Sequence, residues 1–133
     1  MPLWRIKAYY LAGGTCPIRD WYRPQDAEVK AEFDVTLLTL MATSDWRDTN
    51  AFGEMKREHV GLGEMRFQIG KKPDLRRFRP VGIWPPTVAG EFILLTGCEK
   101  ARNGILIPDD AFTMALEYKR RWENGEGEVH DYV

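Results

Sequence analysis

Eight basic residues fall between positions 56 and 79: Lys56, Arg57, Arg66, Lys71, Lys72, Arg76, Arg77 and Arg79. Only Glu58, Glu64 and Asp74 oppose them, so this stretch carries a net +5. Arginine is the informative type, because its planar fork grips a phosphate with two parallel N–H groups. Arg77 and Arg79 stand two apart, the spacing that puts side chains on one face of a strand. Lys100 and Arg102 follow the next apolar run. The chemistry such residues support is phosphate binding. His59, His130 and Tyr132 are further titratable side chains, and the last two sit near the end of the chain. Each basic residue also has a plainer reading. Lys and Arg protect exposed sheet edges, and Lys71-Lys72 precede a proline as turn residues do.

The whole chain hides this block. Its 133 residues hold 19 Lys and Arg against 20 Asp and Glu, a net charge of −1. Residues 1–55 carry −2 and residues 80–133 carry −4. A protein that is basic all over is therefore excluded, while one basic face is not. Hydrophobic residues make up 44% of the chain, enough for a packed core and too many for a disordered one. No apolar run reaches the ~18 residues of a membrane span, and no leader-like apolar segment opens the chain, so a cytoplasmic location is expected. Cys16 and Cys98 are isolated and read as reduced thiols. No pair of Cys or His has ligand spacing, so neither a metal nor another cofactor is expected.

The elements that must position the basic block follow from periodicity. Residues 3–11 alternate, with Trp4, Ile6, Ala8 and Tyr10 on one face, which predicts a strand with one buried side. Pro17 suits the first turn of a short helix reaching Tyr22. Val29, Phe33, Leu37 and Leu40 predict a helix over 25–42. Residues 43–60 are polar and irregular. Strands are predicted over 63–69, 76–84 and 91–98, and the last is apolar enough to be central. Short connections make these strands antiparallel. Pro108-Asp109-Asp110 opens a final helix that Asn124-Gly125 closes. The expectation is one α+β domain over 1–124, ordered β-α(α)-β-β-β-α, with a small, mainly antiparallel sheet carrying its helices on one side. Residues 125–133 are expected to be a polar, mobile tail.

Several strings carry a family resemblance. Gly61-Leu62-Gly63-Glu64-Met65-Arg66, then Arg77-Phe78-Arg79, then the run Phe92 to Lys100, and finally Pro108 to Arg121 occur in the order seen in RelE/HigB-like toxins. The chain thus resembles the toxins of bacterial toxin–antitoxin modules, including the phage-derived host-killing group. The resemblance is best over 61–121. Glu99 stands where the family's "KK" pair has its first lysine, and Cys98 stands where it has an aromatic residue.

The resemblance implies a RelE/ParE-like fold and a metal-independent endoribonuclease that cuts mRNA on the ribosome. It also implies an antitoxin partner. In that chemistry the ribose 2′-hydroxyl attacks the adjacent phosphate. Carried over position by position, Arg66, Arg77, Arg79 and Lys100 are the catalytic candidates, with His130 and Tyr132 as acid–base candidates. Lys56, Arg57, Lys71, Lys72, Arg76 and Arg102 are the candidate RNA contacts. The alternative is a non-catalytic protein of the same fold that acts by binding a protein partner, or an inactive one.

Overall fold

The computed structural model describes residues 3–132. Strand β1 (Arg5–Tyr10) leads into α1 (Pro17–Tyr22) and α2 (Ala27–Met41). Pro17 begins α1, and Asp26 caps α2, its side chain accepting from the Val29 N–H at 3.1 Å. The polar stretch that follows contains a short strand, β2 (Phe52–Glu54), pinned by the fully buried Trp46. Trp46 donates through Nε1 to the Leu40 carbonyl at 2.8 Å, so its one polar atom is satisfied inside the core.

Strands β3 (Leu62–Met65) and β4 (Phe67–Ile69) form one line along β5 (Arg76–Ile83). Between them the Arg66 N–H turns away to the Ala51 carbonyl, 2.7 Å off. Next come β6 (Glu91–Lys100), β7 (Leu106–Ile107), α3 (Ala111–Glu123) and β8 (Glu128–Asp131). The main sheet order is β2-β3-β5-β6-β1-β8, with β7 beside β6. Only β1 and β6 run parallel among the described pairs, and the others are antiparallel. The protein is therefore α+β, with three helices among the described residues and a mixed, mainly antiparallel sheet. Strand β6 is central, as its apolar run implies.

Three expectations change. The helices do not share one side. Phe33, Leu37 and Leu40 of α2 pack with Ile6, Phe92 and Leu94, whereas Ala115 and Leu116 of α3 pack with Tyr9, Ile93 and Leu95 on the other face. Strand β1 is consequently buried on both sides, with Ala8 and Tyr9 both sealed. Residues 125–132 are no loose tail either. Gly125 and Gly127 take left-handed backbone, with φ of +78° and +80°, which turns the chain back onto β1. There β8 pairs Ala8 with His130, and Lys7 Nζ meets Asp131. Tyr132 is buried, its ring beneath the Arg19 guanidinium and near Phe33. These residues thus close the core, so the domain runs past residue 124. No helix among the described residues is long and apolar enough to cross a membrane.

Candidate nucleic-acid interface

A bulge decides which side chains meet. On β5, Val81 and Gly82 are consecutive, but they face Thr96 and Leu94, so Leu95 is extra on β6. Before the bulge, Phe92 and Leu94 face α2. After it the alternation is reversed. A side chain at Gly97 would run into Trp21 of α1, so Cys98 and Lys100 point to the opposite, α3 side. Without the extra residue, Lys100 would lie under α2. With it, Lys100 stands directly across from Arg77, and Cys98 across from Arg79.

The α3-side face of the sheet is open beyond the helix, and there it gathers Arg66, Arg77, Arg79 and Lys100. Glu64 lies among them, the one carboxylate among the described residues that touches this cluster. Its Oε1 takes Arg66 Nε and Nη2 at 3.2 Å, and Arg79 Nε stands 3.6 Å away. The side chains of Glu64 and Arg79 are only 13% and 14% exposed. Burial pushes the Arg79 guanidinium below its usual range, Glu64 raises it again, and Arg66 and Arg77 lower it. Arg79 also donates to the Phe78 carbonyl at 3.2 Å. Beneath it, the Cys98 thiol is sealed from solvent and donates to the Arg79 carbonyl at 3.5 Å. Burial pushes that thiol up to about 12, so it is a neutral floor and not a nucleophile.

The other end of the face is different. Arg77 donates to the Ala101 carbonyl at 3.3 Å. Among the described residues Arg77, Lys100, Lys71, Lys72 and Arg102 make no ion pair. Two cations directly opposite on a ladder repel, which costs stability unless an anion joins them. The β4–β5 turn and the loop after β6 close over this end, where Arg102 donates to the Pro73 carbonyl. Between the two loops lies a cleft of about 440 Å³ lined by Lys72, Pro73, Leu75, Arg77 and Arg102. Three cations over an apolar floor suit a phosphate carrying a flat apolar group. A second cleft of about 280 Å³ lies at the paired end, between Asn50, Arg66, Phe67, Gln68 and Arg79.

The remaining candidates sit elsewhere. Arg76 points to the α2 side, where it clasps Glu99 at 2.8 and 3.0 Å and approaches Asp26 at 3.6 Å. Glu99, the departure from the family's lysine pair, is thus turned off the basic face by the bulge and braces the cap of α2. Lys56 and Arg57 lie beyond the Leu62 end of β3, where His59 packs edge-on against Phe112 of α3. His130 contacts Glu128 at 2.8 Å and the ring of Tyr10, at the β8 edge of the sheet. Tyr132 is a core residue whose hydroxyl burial pushes above its usual range. Neither His130 nor Tyr132 joins the arginines, so the acid–base role expected of them has no geometric support. Sequence reasoning missed Glu64 as a member of the cluster. Its place two residues before Arg66 was the available signal, because that spacing shares a strand face.

Among the described residues no three His, Cys, Asp or Glu side chains are grouped to hold a metal ion. No family model, no curated protein and no solved structure matches the chain.

Proposed function

We propose that this protein is an RNA-cleaving toxin of the RelE/HigB-like kind, acting on mRNA at the ribosome and held in check by an antitoxin that covers the basic face. The observation that carries this reading is the Arg77–Lys100 pair, two cations without an ion-pair partner among the described residues, fixed opposite each other on an open sheet face. A phosphate placed between them would relieve their repulsion and accept hydrogen bonds from both. Arg79 and Arg66 extend the positive surface towards the second cleft, so successive phosphates of a single strand could be held in line. In the reaction, the 2′-oxygen forms a bond to phosphorus while the bond to the 5′-oxygen breaks. The products are a 2′,3′-cyclic phosphate and a 5′-hydroxyl end, and the cations stabilise the charge at the crowded phosphorus.

A second reading has an observation of its own. The expected acid–base residues, His130 and Tyr132, lie away from the face, which favours a protein that binds an acidic partner and cuts nothing. Induction of the chain alone in growing bacteria, with mapping of mRNA 5′ ends, separates the two. The toxin reading expects growth arrest with new 5′-hydroxyl ends inside reading frames, both abolished in an Arg77→Ala/Lys100→Ala variant. Growth arrest with intact mRNA establishes the second reading instead.

A further inference from the structure

We infer that Glu64 is the general base that removes the proton from the ribose 2′-hydroxyl. This assignment rests on the RNA-cleavage reading and adds to it the proton acceptor that reading otherwise lacks. The chemistry available on the face leaves one candidate. Arginine and lysine are protonated at neutral pH and have no lone pair to offer. Cys98 is buried and remains a thiol. Gln68, on the same face beside Arg77, is no base. Of the groups the structure places there, Glu64 alone can take a proton.

Its geometry suits the task. Glu64 pairs with Val81 on β5 and with Gly53 on β2, so its backbone is held on both sides by the ladder. The Arg66 guanidinium lies across Gly53, where any larger side chain would displace it. Both arginines approach the same oxygen, Oε1, and none of the observed hydrogen bonds or ion pairs uses Oε2. The same two arginines wall the 280 Å³ cleft. The cleft is lined also by Asn50, Phe67 and Gln68, and Glu64 lies directly behind its two arginines, so a phosphate that draws their outer N–H groups away uncovers the carboxylate. The charged groups facing Glu64 are Arg66 and Arg79, and the neutral thiol of Cys98 lies on β6 behind them. The proton passes from the 2′-hydroxyl to Glu64 as the new O–P bond forms. The departing 5′-oxygen takes its proton from water, since Lys100 stands across from Arg77, four residues along β5 from the Val81 that faces Glu64.

The test compares the parent chain with Glu64→Gln and Glu64→Asp, each mixed with ribosomes programmed with a defined mRNA. Single-turnover cleavage is followed across pH, and affinity for a short single-stranded RNA is measured separately. Glu64→Gln should cut about 10²–10⁴-fold more slowly, the range a general base supplies. It should bind RNA as tightly as the parent or tighter, because a negative charge has left the face. The parent should lose rate towards acid pH, the glutamine variant should lack that limb, and Glu64→Asp should keep part of the rate. A merely structural carboxylate would give weaker binding and an unchanged pH profile. Glu64→Gln cutting within about threefold of the parent, with the same profile, would overturn the assignment and leave the cleavage reading standing. If Glu64→Gln does not fold, Glu64→Asp decides, a rate within about threefold of the parent overturning the assignment. A parent that cuts no programmed mRNA removes the cleavage reading, and the base with it.

Discussion

At one end of the basic face Arg66 and Arg79 close on Glu64, while at the other Arg77 and Lys100 face each other with no carboxylate of the described residues between them. The residue types are nearly the same and the strands are the same, yet the two ends have different physics. The paired end offsets part of its charge internally, leaving +1 from two arginines and one carboxylate, and keeps Glu64 and Arg79 mostly buried. The unpaired end keeps its charges available, at the cost of repulsion across the ladder. A fold selected only for stability would place a carboxylate there. On the proposed reading the labour is divided, the unpaired end gripping a phosphate and the paired end positioning a base.

Breaking the unpaired end should have the largest effect on binding. Arg77→Ala/Lys100→Ala removes two phosphate-binding cations, so affinity for single-stranded RNA at low salt should fall roughly 30–100-fold, or about 2–3 kcal/mol. The dependence of log affinity on log salt should become shallower by roughly 1.4, about 0.7 for each phosphate no longer neutralised. Filter binding over a salt series reads both quantities. Folding stability should hold or rise slightly, because a repulsive pair has gone. An unchanged salt slope would mean that these cations meet no phosphate.

The paired end should respond less. Arg66→Ala should weaken RNA binding only about two- to threefold, since Glu64 already offsets part of its charge. The contrast between the two variants measures the division directly. Equal effects at both ends would erase it, and the basic face would then be one uniform patch.

Much of this arrangement was legible in the sequence, and what was not has a physical cause. Alternation put Arg66 on the polar face of 63–69 and Arg77 with Arg79 on one face of 76–84, because side-chain direction in a regular strand follows from parity. Parity could not assign Lys100, since the extra residue at Leu95 reverses it midway along β6. The bulge leaves no composition signature in a run as apolar as Phe-Ile-Leu-Leu. The same reversal explains why Glu99 read as a defect in a basic motif. The polar tail misled because an edge strand is free to be polar on its exposed side. Its pairing depends on partners more than a hundred residues away, Ala8 with His130 for one. The side taken by α3 was hidden in Tyr9, Ile93 and Leu95, whose packing against that helix shows that the sheet has two covered faces. Glu64 was visible beside Arg66 by spacing, but Arg79, two residues from the Val81 that faces Glu64, became its neighbour only once the register was known.

Glu99→Ala should give the smallest effect and a different kind of result. It frees Arg76 from its two-pronged contact on the α2 side and leaves the 3.6 Å approach to Asp26 and the Phe78 ring 5.0 Å beneath the guanidinium. Arg76 is 43% exposed at its side chain, so solvent screens the pair, and the cost in stability should be about 0.5–1 kcal/mol. Denaturant unfolding measures it, and a melting series alongside Asp26→Ala shows whether the two carboxylates act through the same guanidinium. RNA affinity should be unchanged within about twofold, because Arg76 and Glu99 look away from the open face. A drop in affinity as large as that of the Arg77→Ala/Lys100→Ala variant would show that Glu99 reaches the basic face through the strand. That result would tie the brace and the phosphate grip into one device, and the two ends of the face could no longer be treated as independent.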